Sequence, residues 1–408
     1  IGSLLAKGCR ELRDGDYDHA TETYSIAVML ESRSAEAHCG LGKALIAAGN
    51  RTDGFESLVT AFQLDSLLPE VKDGFREYYR KEIEADPSSV DAYEGLAALC
   101  IDSGRPEEAA SCYSRCLELT ISEEAGRNGE NGGELTDRRD RWEVALFKCR
   151  AALCDWKEWD ASTEALRVAV RRGGIEGGKE KGKEPPKPPV LHPFDSLSAS
   201  LSPEECLTVA RQQSRWVEAA TVKMEDGSVF VEVAEIEQDG HWDQSSRTGG
   251  GQRLRLGYMS GDLMGTHPLT HLMQARLGTQ ECDFDGTFGS HDRSRFEVYL
   301  YSLNAADGSK ERHRMEKDVE HFRDLSAMTS QEAARTISED CVDVLVNLNG
   351  YAGTSRSADV LVWHPASILV SYMGFPGTMG SSRLSNYILA DGIVIPESLR
   401  EHYSEKVM

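Results

Sequence analysis

The feature that most constrains this chain is a sequence repeat of 34 residues in its first third. Small and apolar residues recur at this spacing in the pairs Gly8 and Gly42, Gly15 and Gly49, Ala27 and Ala61, and Leu30 and Leu64. Small residues at these positions let two antiparallel helices touch, and the glycine before each turn ends a helix. A hairpin of this kind buries its apolar face only against neighbouring hairpins, so the pattern predicts a stacked helical solenoid.

The repeat is typical of tetratricopeptide repeats, and we predict such a solenoid over residues 1–123. Residues 92–119 carry the pattern a third time, with Gly104 at the position equivalent to Gly49. This third unit is out of phase with the period, so an extra helix is expected over 69–89. The solenoid would offer a concave surface to extended peptides, protein substrates and adaptors; the alternative is a packed helical spacer.

Length and composition restrict the partners of the chain. Its 408 residues are enough for two or more domains. The net charge of −23 argues against a general nucleic-acid surface and an anionic membrane surface, because both would repel the chain. No apolar run approaches the roughly 20 residues of a membrane span. The 10 cysteines are scattered without a C-x-x-C pair, which favours structural thiols and a reducing compartment.

The middle of the chain is polar in two places. Residues 124–140 begin with a Gly-rich stretch and are predicted to form a loop. Residues 141–252 are predicted to be a helical transition region, and their start, 141–172, has the periodicity of about two helices. Within this region residues 173–189 are rich in Gly, Lys, Glu and Pro, so we expect a disordered insertion there.

Residues 253–408 alternate short apolar runs with helical patterns, which indicates a parallel sheet with helices on both faces. Ligands of such sheets bind beyond the carboxyl ends of the strands. Three of the predicted ends are polar and Gly-rich, namely SGDLMGTHP, NLNGYAGTSR and MGFPGTMG. We therefore expect these three segments to converge on one crevice.

The first of these segments contains Asp262 and His267, the usual parts of general acid–base catalysis. Pro268 should begin a helix, which places His267 at the amino end, where the helix field disfavours the imidazolium form. His271 is one turn further along and should point near His267. A metal site would need a third ligand, which the segment lacks. The plainer alternative is that both histidines only cap and pack a helix.

The other two segments offer weaker signals. Tyr351 and Arg356 follow a Gly turn and are candidates for gripping an anion or a carbonyl group. The segment GFPGT, with Gly374, Pro376 and Thr378, is a rigid turn whose backbone can approach a ligand closely. Neither segment is a G-x-G-x-x-G fingerprint or a P-loop, so NAD or ATP binding has no support.

Taken together, these motifs resemble the protein O-linked N-acetylglucosamine transferases, which carry tetratricopeptide repeats. The resemblance covers the repeats, CDWKEWD, LHPFDSL and nearly everything from Leu254 onward, including HPLTHLM, FEVYLYSL, GFPGTMG and HYSEKVM in the family's order. It implies an α-solenoid followed by the Rossmann-like amino-terminal lobe of a two-lobed catalytic region. The second lobe has no counterpart in the sequence.

The resemblance also implies roles for single residues. Asp262 matches the family's Asp candidate for proton transfer, and His267 matches a His that contacts the sugar nucleotide. In LHPFDSL, Phe194 stands where some relatives carry a His proposed as the base, and His192 is retained two positions earlier as a catalytic candidate.

Substrate-binding roles follow in the same way. Tyr351 and Arg356 match residues that line the acceptor and sugar cleft. Gly374 and Pro376 match the turn beside the donor, which also contains Thr378. His271 is the remaining substrate-binding candidate.

The sequence departs from the family pattern at two further places. One extra residue separates Asp262 from His267, which puts their mutual geometry in doubt. His364 replaces an Arg in the segment before the last apolar run.

The function implied is transfer of N-acetylglucosamine from UDP-N-acetylglucosamine to Ser or Thr hydroxyls of cytoplasmic and nuclear proteins, with inversion and without a metal or other cofactor. Because most UDP contacts belong to the second lobe in this family, the 408-residue chain alone is expected to be inactive. One alternative is the fucose-transferring branch of the family, although HPLTHLM, NGY and PGT look more like the N-acetylglucosamine branch. The other is a non-catalytic repeat scaffold.

Overall fold

The computed structural model describes residues 1–124, 132–179, 186–222, 253–274, 286–353 and 355–408. Contacts between residues divide the chain into two compact units, Ile1–Leu166 and Arg167–Met408. Within the described residues, no helix is both long enough and apolar enough to cross a membrane.

The first unit is a series of antiparallel helices. They are α1 (Gly2–Asp14), α2 (Tyr17–Leu30), α3 (Ala35–Ala47), α4 (Arg51–Leu64), α5 (Pro69–Ala85), α6 (Val90–Asp102), α7 (Pro106–Glu124), α8 (Gly132–Ala152) and the start of α9 (Trp159–Lys179). The pairs α1/α2, α3/α4 and α6/α7 pack as hairpins, as the repeat predicts. Helix α5 is the expected extra helix, and it packs on α3, α4 and α6.

Small residues of the repeat admit large side chains from the neighbouring helix. The ring of Tyr24 on α2 lies between Gly8 of α1 and Gly40 of α3, and a Cβ at Gly8 would meet Tyr24 Cε2 at 2.7 Å. Tyr24 is buried as a result. The glycines are therefore required by side-chain packing and not by backbone conformation.

The loop predicted over 124–140 is helical from Gly132 onward, because α8 begins there. The contacts of Arg138 explain why this polar stretch forms a helix and not the predicted loop. Its guanidinium donates to Asp91 and Glu94 of α6, each at 2.5 Å, and lies 5.1 Å from the centre of the Trp142 ring. These contacts stabilise the first turns of α8 against α6.

The predicted pair of helices over 141–172 is observed as α8 and α9. Helix α9 continues to Lys179, so the first part of the expected disordered insertion, 173–189, is helical. Extending an existing helix costs much less than starting one, which allows a Gly-rich stretch to continue it. Residues 180–185 and 223–252 lie outside the described residues.

The second unit is built on a seven-stranded parallel sheet in the order β3-β2-β1-β4-β5-β6-β7. The strands are β1 (Leu254–Ser260), β2 (Phe296–Ser302), β3 (His321–Asp324), β4 (Val344–Asn347), β5 (Ile368–Tyr372), β6 (Tyr387–Leu389) and β7 (Lys406–Val407). The predicted Rossmann-like arrangement is confirmed, and the strand order reverses between β1 and β4.

Helices cover both faces of this sheet. They are α10 (Pro193–Ser196), α11 (Pro203–Val222), α12 (Pro268–Met273), α13 (Gly286–Gly289), α14 (Lys310–Asp318), α15 (Ser330–Glu339), α16 (Ser357–Leu361) and a 3-10 helix (Glu397–His402). One apolar cluster joins Met259 to α11, α15 and α16. A second cluster joins the adjacent Tyr258 to α12, α13 and α14. Successive strand residues point to opposite faces, so the two clusters are the two sides of the sheet.

The Tyr24 contact leads to a stability prediction. Gly40→Ala should lower the free energy of unfolding by about 1–3 kcal/mol, because its methyl group would overlap the Tyr24 ring. Urea unfolding followed by circular dichroism measures the change. Gly2→Ala is the matched control, since a Cβ at Gly2 meets no atom within 4 Å. Equal unfolding midpoints for the two variants would disprove the packing argument.

Candidate active site

The carboxyl ends of β1, β4 and β5 lie side by side, because these strands are neighbours in the sheet. Leu348 donates its N–H to the carbonyl of Met259 at 3.0 Å, and Gly374 donates to the carbonyl of Leu348 at 3.2 Å. These bonds continue the strand ladder into the loops. The predicted convergence of the three segments at one edge is confirmed, and it lies where the strand order reverses.

The loop after β1, residues 261–267, is held by side chains from both neighbouring loops. Three of its backbone N–H groups donate to side-chain oxygens of those neighbouring loops: Gly261 to Asn349 at 2.7 Å, Leu263 to Asn304 at 3.2 Å, and Gly265 to Asp307 at 2.7 Å. The fully buried Arg312 donates to the carbonyl of Leu263 at 3.1 Å. The loop is therefore fixed by hydrogen bonds before any ligand binds.

Asp262 lies at the centre of this loop with a carboxylate that is 19% exposed. The side-chain amide of Asn349 donates to Asp262 Oδ2. The same oxygen is 3.7 Å from His267 Nε2. The extra residue between Asp262 and His267 thus leaves the carboxylate and the imidazole close together.

His267 caps the amino end of α12, as the sequence predicts. It has φ −88° and ψ 135°, the extended conformation that a following proline favours, and its Nδ1 accepts the N–H of Leu269 at 3.2 Å. A neutral imidazole whose Nδ1 accepts must carry its proton on Nε2. His267 therefore presents an N–H donor toward Asp262 and the crevice, so capping and chemistry are combined in one side chain.

His192 has the same local structure. It precedes a proline, caps the four-residue helix α10 and accepts the N–H of Phe194 through Nδ1 at 3.4 Å. Its ring meets Tyr351 edge-on, with centroids 6.1 Å apart. The dipeptide His-Pro thus places both catalytic candidates at helix starts with Nδ1 used for capping.

His271 lies in the last turn of α12 with an exposed side chain, where a ligand can reach it. Its role in substrate binding stays a prediction. Among the described residues, no three His, Cys, Asp or Glu side chains are placed to hold a metal ion.

Tyr351 and Thr378 do not face the crevice. Tyr351 is 4% exposed, packs against Phe375 and donates its hydroxyl to the carbonyl of Met379 at 2.9 Å. Thr378 is 5% exposed and donates to Glu405 Oε2 at 2.7 Å. The expectation that Tyr351 shares a common space with His267 is corrected, because its ring belongs to the cluster on the face opposite α12.

Arg356 is likewise engaged within the protein. Its guanidinium donates to the carbonyl of Leu325 at 2.7 Å and to the hydroxyl of Ser330 at 3.4 Å. Burial lowers the pKa of Arg356. The side chain therefore connects the start of α16 to the segment after β3, and the predicted grip on a ligand would require it to leave these partners.

The turn after β5 is held by close backbone contacts. A Cβ at Gly374 would overlap the carbonyl of Leu348, and one at Gly380, which has φ +77°, would overlap the backbone of Ala210 in α11. Pro376 is exposed, and its carbonyl accepts the hydroxyl of Tyr403 at 2.8 Å. Gly374 and Pro376 thus belong to a rigid turn, and their contact with a ligand stays a prediction.

Sequence reasoning missed two residues that organise the site. Asn349 is fully buried and contacts the loop of Asp262, and Glu405 is buried beneath the turn after β5. The signal for Asn349 was the N-x-N pattern at the end of an apolar strand, where two amides replace apolar side chains. HYSEKVM gave no comparable indication for Glu405.

The family comparison covers more than half of the chain. Residues 153–408 match the model of the family described as Glycosyl transferase family 41. The resemblance inferred from the motifs is confirmed at the level of the family.

Two relatives are named for the activity of that family. A probable UDP-N-acetylglucosamine--peptide N-acetylglucosaminyltransferase SEC of Arabidopsis thaliana is 42% identical over 162 residues, covering 40% of this chain and 15% of that protein. A UDP-N-acetylglucosamine--peptide N-acetylglucosaminyltransferase of Caenorhabditis elegans is 30% identical over 257 residues, covering 62% and 20%. The chain therefore matches between 15% and 20% of the length of these relatives. The solved structure of a mutant O-GlcNAc transferase from Thermobaculum terrenum aligns with 100% of this chain and 56% of its own at 18% identity, with a TM-score of 0.41.

Glu405 leads to a prediction about pH. Burial raises the pKa of this carboxyl above its ordinary value of 4.5, so the folded chain keeps the proton at pH values where the unfolded chain has released it. The free energy of unfolding should therefore fall as the pH rises from 4.5 through the raised pKa. The side chain of the Glu405→Gln variant does not titrate. Its free energy of unfolding should therefore rise relative to that of the wild type across this range, by about 1.4 kcal/mol for each pH unit.

Urea unfolding at a series of pH values from 4.5 upward measures this difference. Glu401→Gln is the control, because the Glu401 side chain is 80% exposed. A Glu405→Gln effect that is the same at every pH would contradict the prediction.

Proposed function

This chain belongs to glycosyl transferase family 41, and we propose on that premise that it forms the amino-terminal part of a protein O-N-acetylglucosaminyltransferase. The donor is UDP-N-acetylglucosamine, and the acceptor is a Ser or Thr hydroxyl of a protein. The names of the two relatives support this donor, and the fucose-transferring branch is the competing assignment. The observation that carries the proposal is the Asp262–His267 pair at the reversal of the strand order.

The hydrogen bonds of the two side chains support separate roles for them. His267 uses Nδ1 to accept the N–H of Leu269, so it could remove a proton only by breaking this capping hydrogen bond. Asp262 is an acceptor, and none of the described residues donates to its Oδ1 in the hydrogen bonds observed. We therefore assign proton removal from the acceptor hydroxyl to Asp262, and hydrogen-bond donation to the sugar nucleotide to His267 Nε2–H.

In the proposed reaction the acceptor oxygen forms a bond to the anomeric carbon from the face opposite the diphosphate. The bond from that carbon to the diphosphate breaks, UDP leaves with the electron pair, and Asp262 takes the hydroxyl proton. The configuration at the anomeric carbon is inverted. Fixing both groups in advance supplies the orientation that the transition state needs.

The diphosphate must be held elsewhere. The loop after β1 has the position of a phosphate-binding loop in this fold, but its N–H groups at Gly261, Leu263 and Gly265 already donate to side chains. We propose that cationic side chains and helix starts outside this loop neutralise the diphosphate, without a metal ion. The family's second lobe is the proposed source of these groups.

The repeats are proposed to bind protein substrates and adaptors. In the first unit the hairpins α1/α2, α3/α4 and α6/α7 stack as in a tetratricopeptide solenoid, and such solenoids present an extended concave surface. Cytoplasm and nucleus are the proposed locations, in keeping with scattered cysteines and a strongly acidic chain.

The proposal predicts specific losses in the full-length enzyme. Asp262→Asn should lower kcat by roughly 10²-fold or more, because an amide cannot accept the hydroxyl proton. His267→Ala and His267→Asn should both lower it, although Asn preserves the helix cap. A labelled-sugar transfer assay with UDP-N-acetylglucosamine and a Ser- or Thr-containing peptide measures the rates.

Three results would overturn parts of this assignment. Preference for GDP-fucose over UDP-N-acetylglucosamine would refute the donor. Full activity of His267→Asn, with loss only in His267→Ala, would reduce His267 to a helix cap. Robust transfer by the 408-residue chain alone would refute the need for a second lobe.

A further inference from the structure

We propose that Asn349 is a positioning residue that holds the Asp262 side chain with one defined carboxylate oxygen directed to the substrate. The inference rests on the proposed function and deepens it. The N-x-N pattern in the sequence gave no indication of the contact between Asn349 and Asp262.

The orientation of the Asn349 amide follows from its partners. Gly261 N–H can only donate, so the atom that faces it at 2.7 Å must be the carbonyl oxygen Oδ1. The Asp262 carboxylate can only accept, so the atom that faces Oδ2 must be the amide nitrogen. A flipped amide would oppose two donors and leave a carboxylate against a carbonyl. One orientation therefore satisfies both contacts.

Asn349 is itself held in place by Asn347 of β4. It is fully buried, and its backbone N–H donates to Asn347 Oδ1 at 3.1 Å. Asn347 Oδ1 also accepts the N–H of Gly350 at 3.3 Å, so its amide orientation is determined as well. Two buried amides in series thus connect β4 to Asp262 across the reversal of the strand order.

The contact decides which oxygen of Asp262 reacts. Oδ2 accepts from Asn349 and lies nearest His267 Nε2, which leaves Oδ1 to take the substrate proton. A hydrogen bond to a charged carboxylate is strong and directional, so it fixes the orientation of the carboxylate. Asn349 therefore aims the base at the substrate.

Other side chains around this loop bond to its backbone or elsewhere. Arg312 on α14 and Asp307 before it contact the loop backbone, and Arg356 donates to Leu325. Among the described residues, Asn349 is thus the one observed to donate a hydrogen bond to the Asp262 carboxylate.

The test is the kcat of the full-length enzyme with UDP-N-acetylglucosamine. Asn349→Leu should lower kcat by about 10²-fold, since small displacements of a catalytic group have effects of this size, while KM changes much less. Asn349→Asp preserves the shape of the side chain and still accepts the Gly261 N–H, but its carboxylate cannot donate to Asp262, so it should lower kcat by a similar factor.

Asn304→Leu is the matched control, because Asn304 holds the same loop through Leu263 N–H without contacting Asp262. It should lower kcat much less. A kcat close to that of the wild type in both Asn349 variants, or an equal loss of kcat in Asn304→Leu, would overturn the inference. Absence of transfer by the wild type would instead refute the proposed function.

A stability measurement, which needs no catalytic activity, tests the contact between Asn349 and Asp262 separately from the proposed function. In urea unfolding of the 408-residue chain near neutral pH, Asn349→Leu should shift the midpoint more in the wild-type background than in Asp262→Asn. Additive shifts would show that the two side chains do not interact.

Discussion

The pairing of β1 with β4 is the contact on which the candidate site depends. These two strands are distant in sequence and adjacent in the sheet, and all connections before the reversal lead one way while those after it lead the other. The pairing brings the loop of Asp262 against the loop of Asn349, and the next pairing, of β4 with β5, adds the turn that begins at Gly374. Parallel strands all end at the same edge of the sheet. The order of the strands is therefore enough to bring the polar ends of three of them together into one surface.

A second, local constraint acts through proline. A residue before proline avoids the helical region, while proline itself suits the first helical turn, so His-Pro fixes a histidine as the cap of a helix. His192 and His267 both show this geometry, and in both the ring accepts a backbone N–H through Nδ1. The cap thereby selects the tautomer. Each imidazole thus becomes a donor with a defined direction, and the acceptor role is the one proposed for Asp262.

Sequence patterns predicted the elements better than the directions of side chains. Strand and helix alternation over 253–408 predicted the sheet and its helices, because periodicity directly reflects which face of an element is buried. His267 was located correctly because proline restricts its neighbour. The roles inferred for Tyr351 and Thr378 required knowing on which face of the sheet each side chain lies, and both side chains proved to be buried and to support the fold.

Contacts between residues distant in sequence were not predicted. Asn349 contacts Asp262 and Glu405 contacts Thr378, and no local pattern encodes either contact. The helical start of α8 was missed for the same reason, since Arg138 depends on α6.

The hydrogen bonding of the loop after β1 also limits what its backbone can bind. A loop whose N–H groups are unpaired can change shape around an anion, but it must first be ordered by that anion. Here the donors at Gly261, Leu263 and Gly265 are paired within the fold, so the loop is ordered by folding and the base is aimed before substrate arrives. The same pairing removes these donors from phosphate binding. Under the proposed function, the anion-binding groups would come from another part of the protein, which agrees with a division of the two tasks between two walls of a cleft.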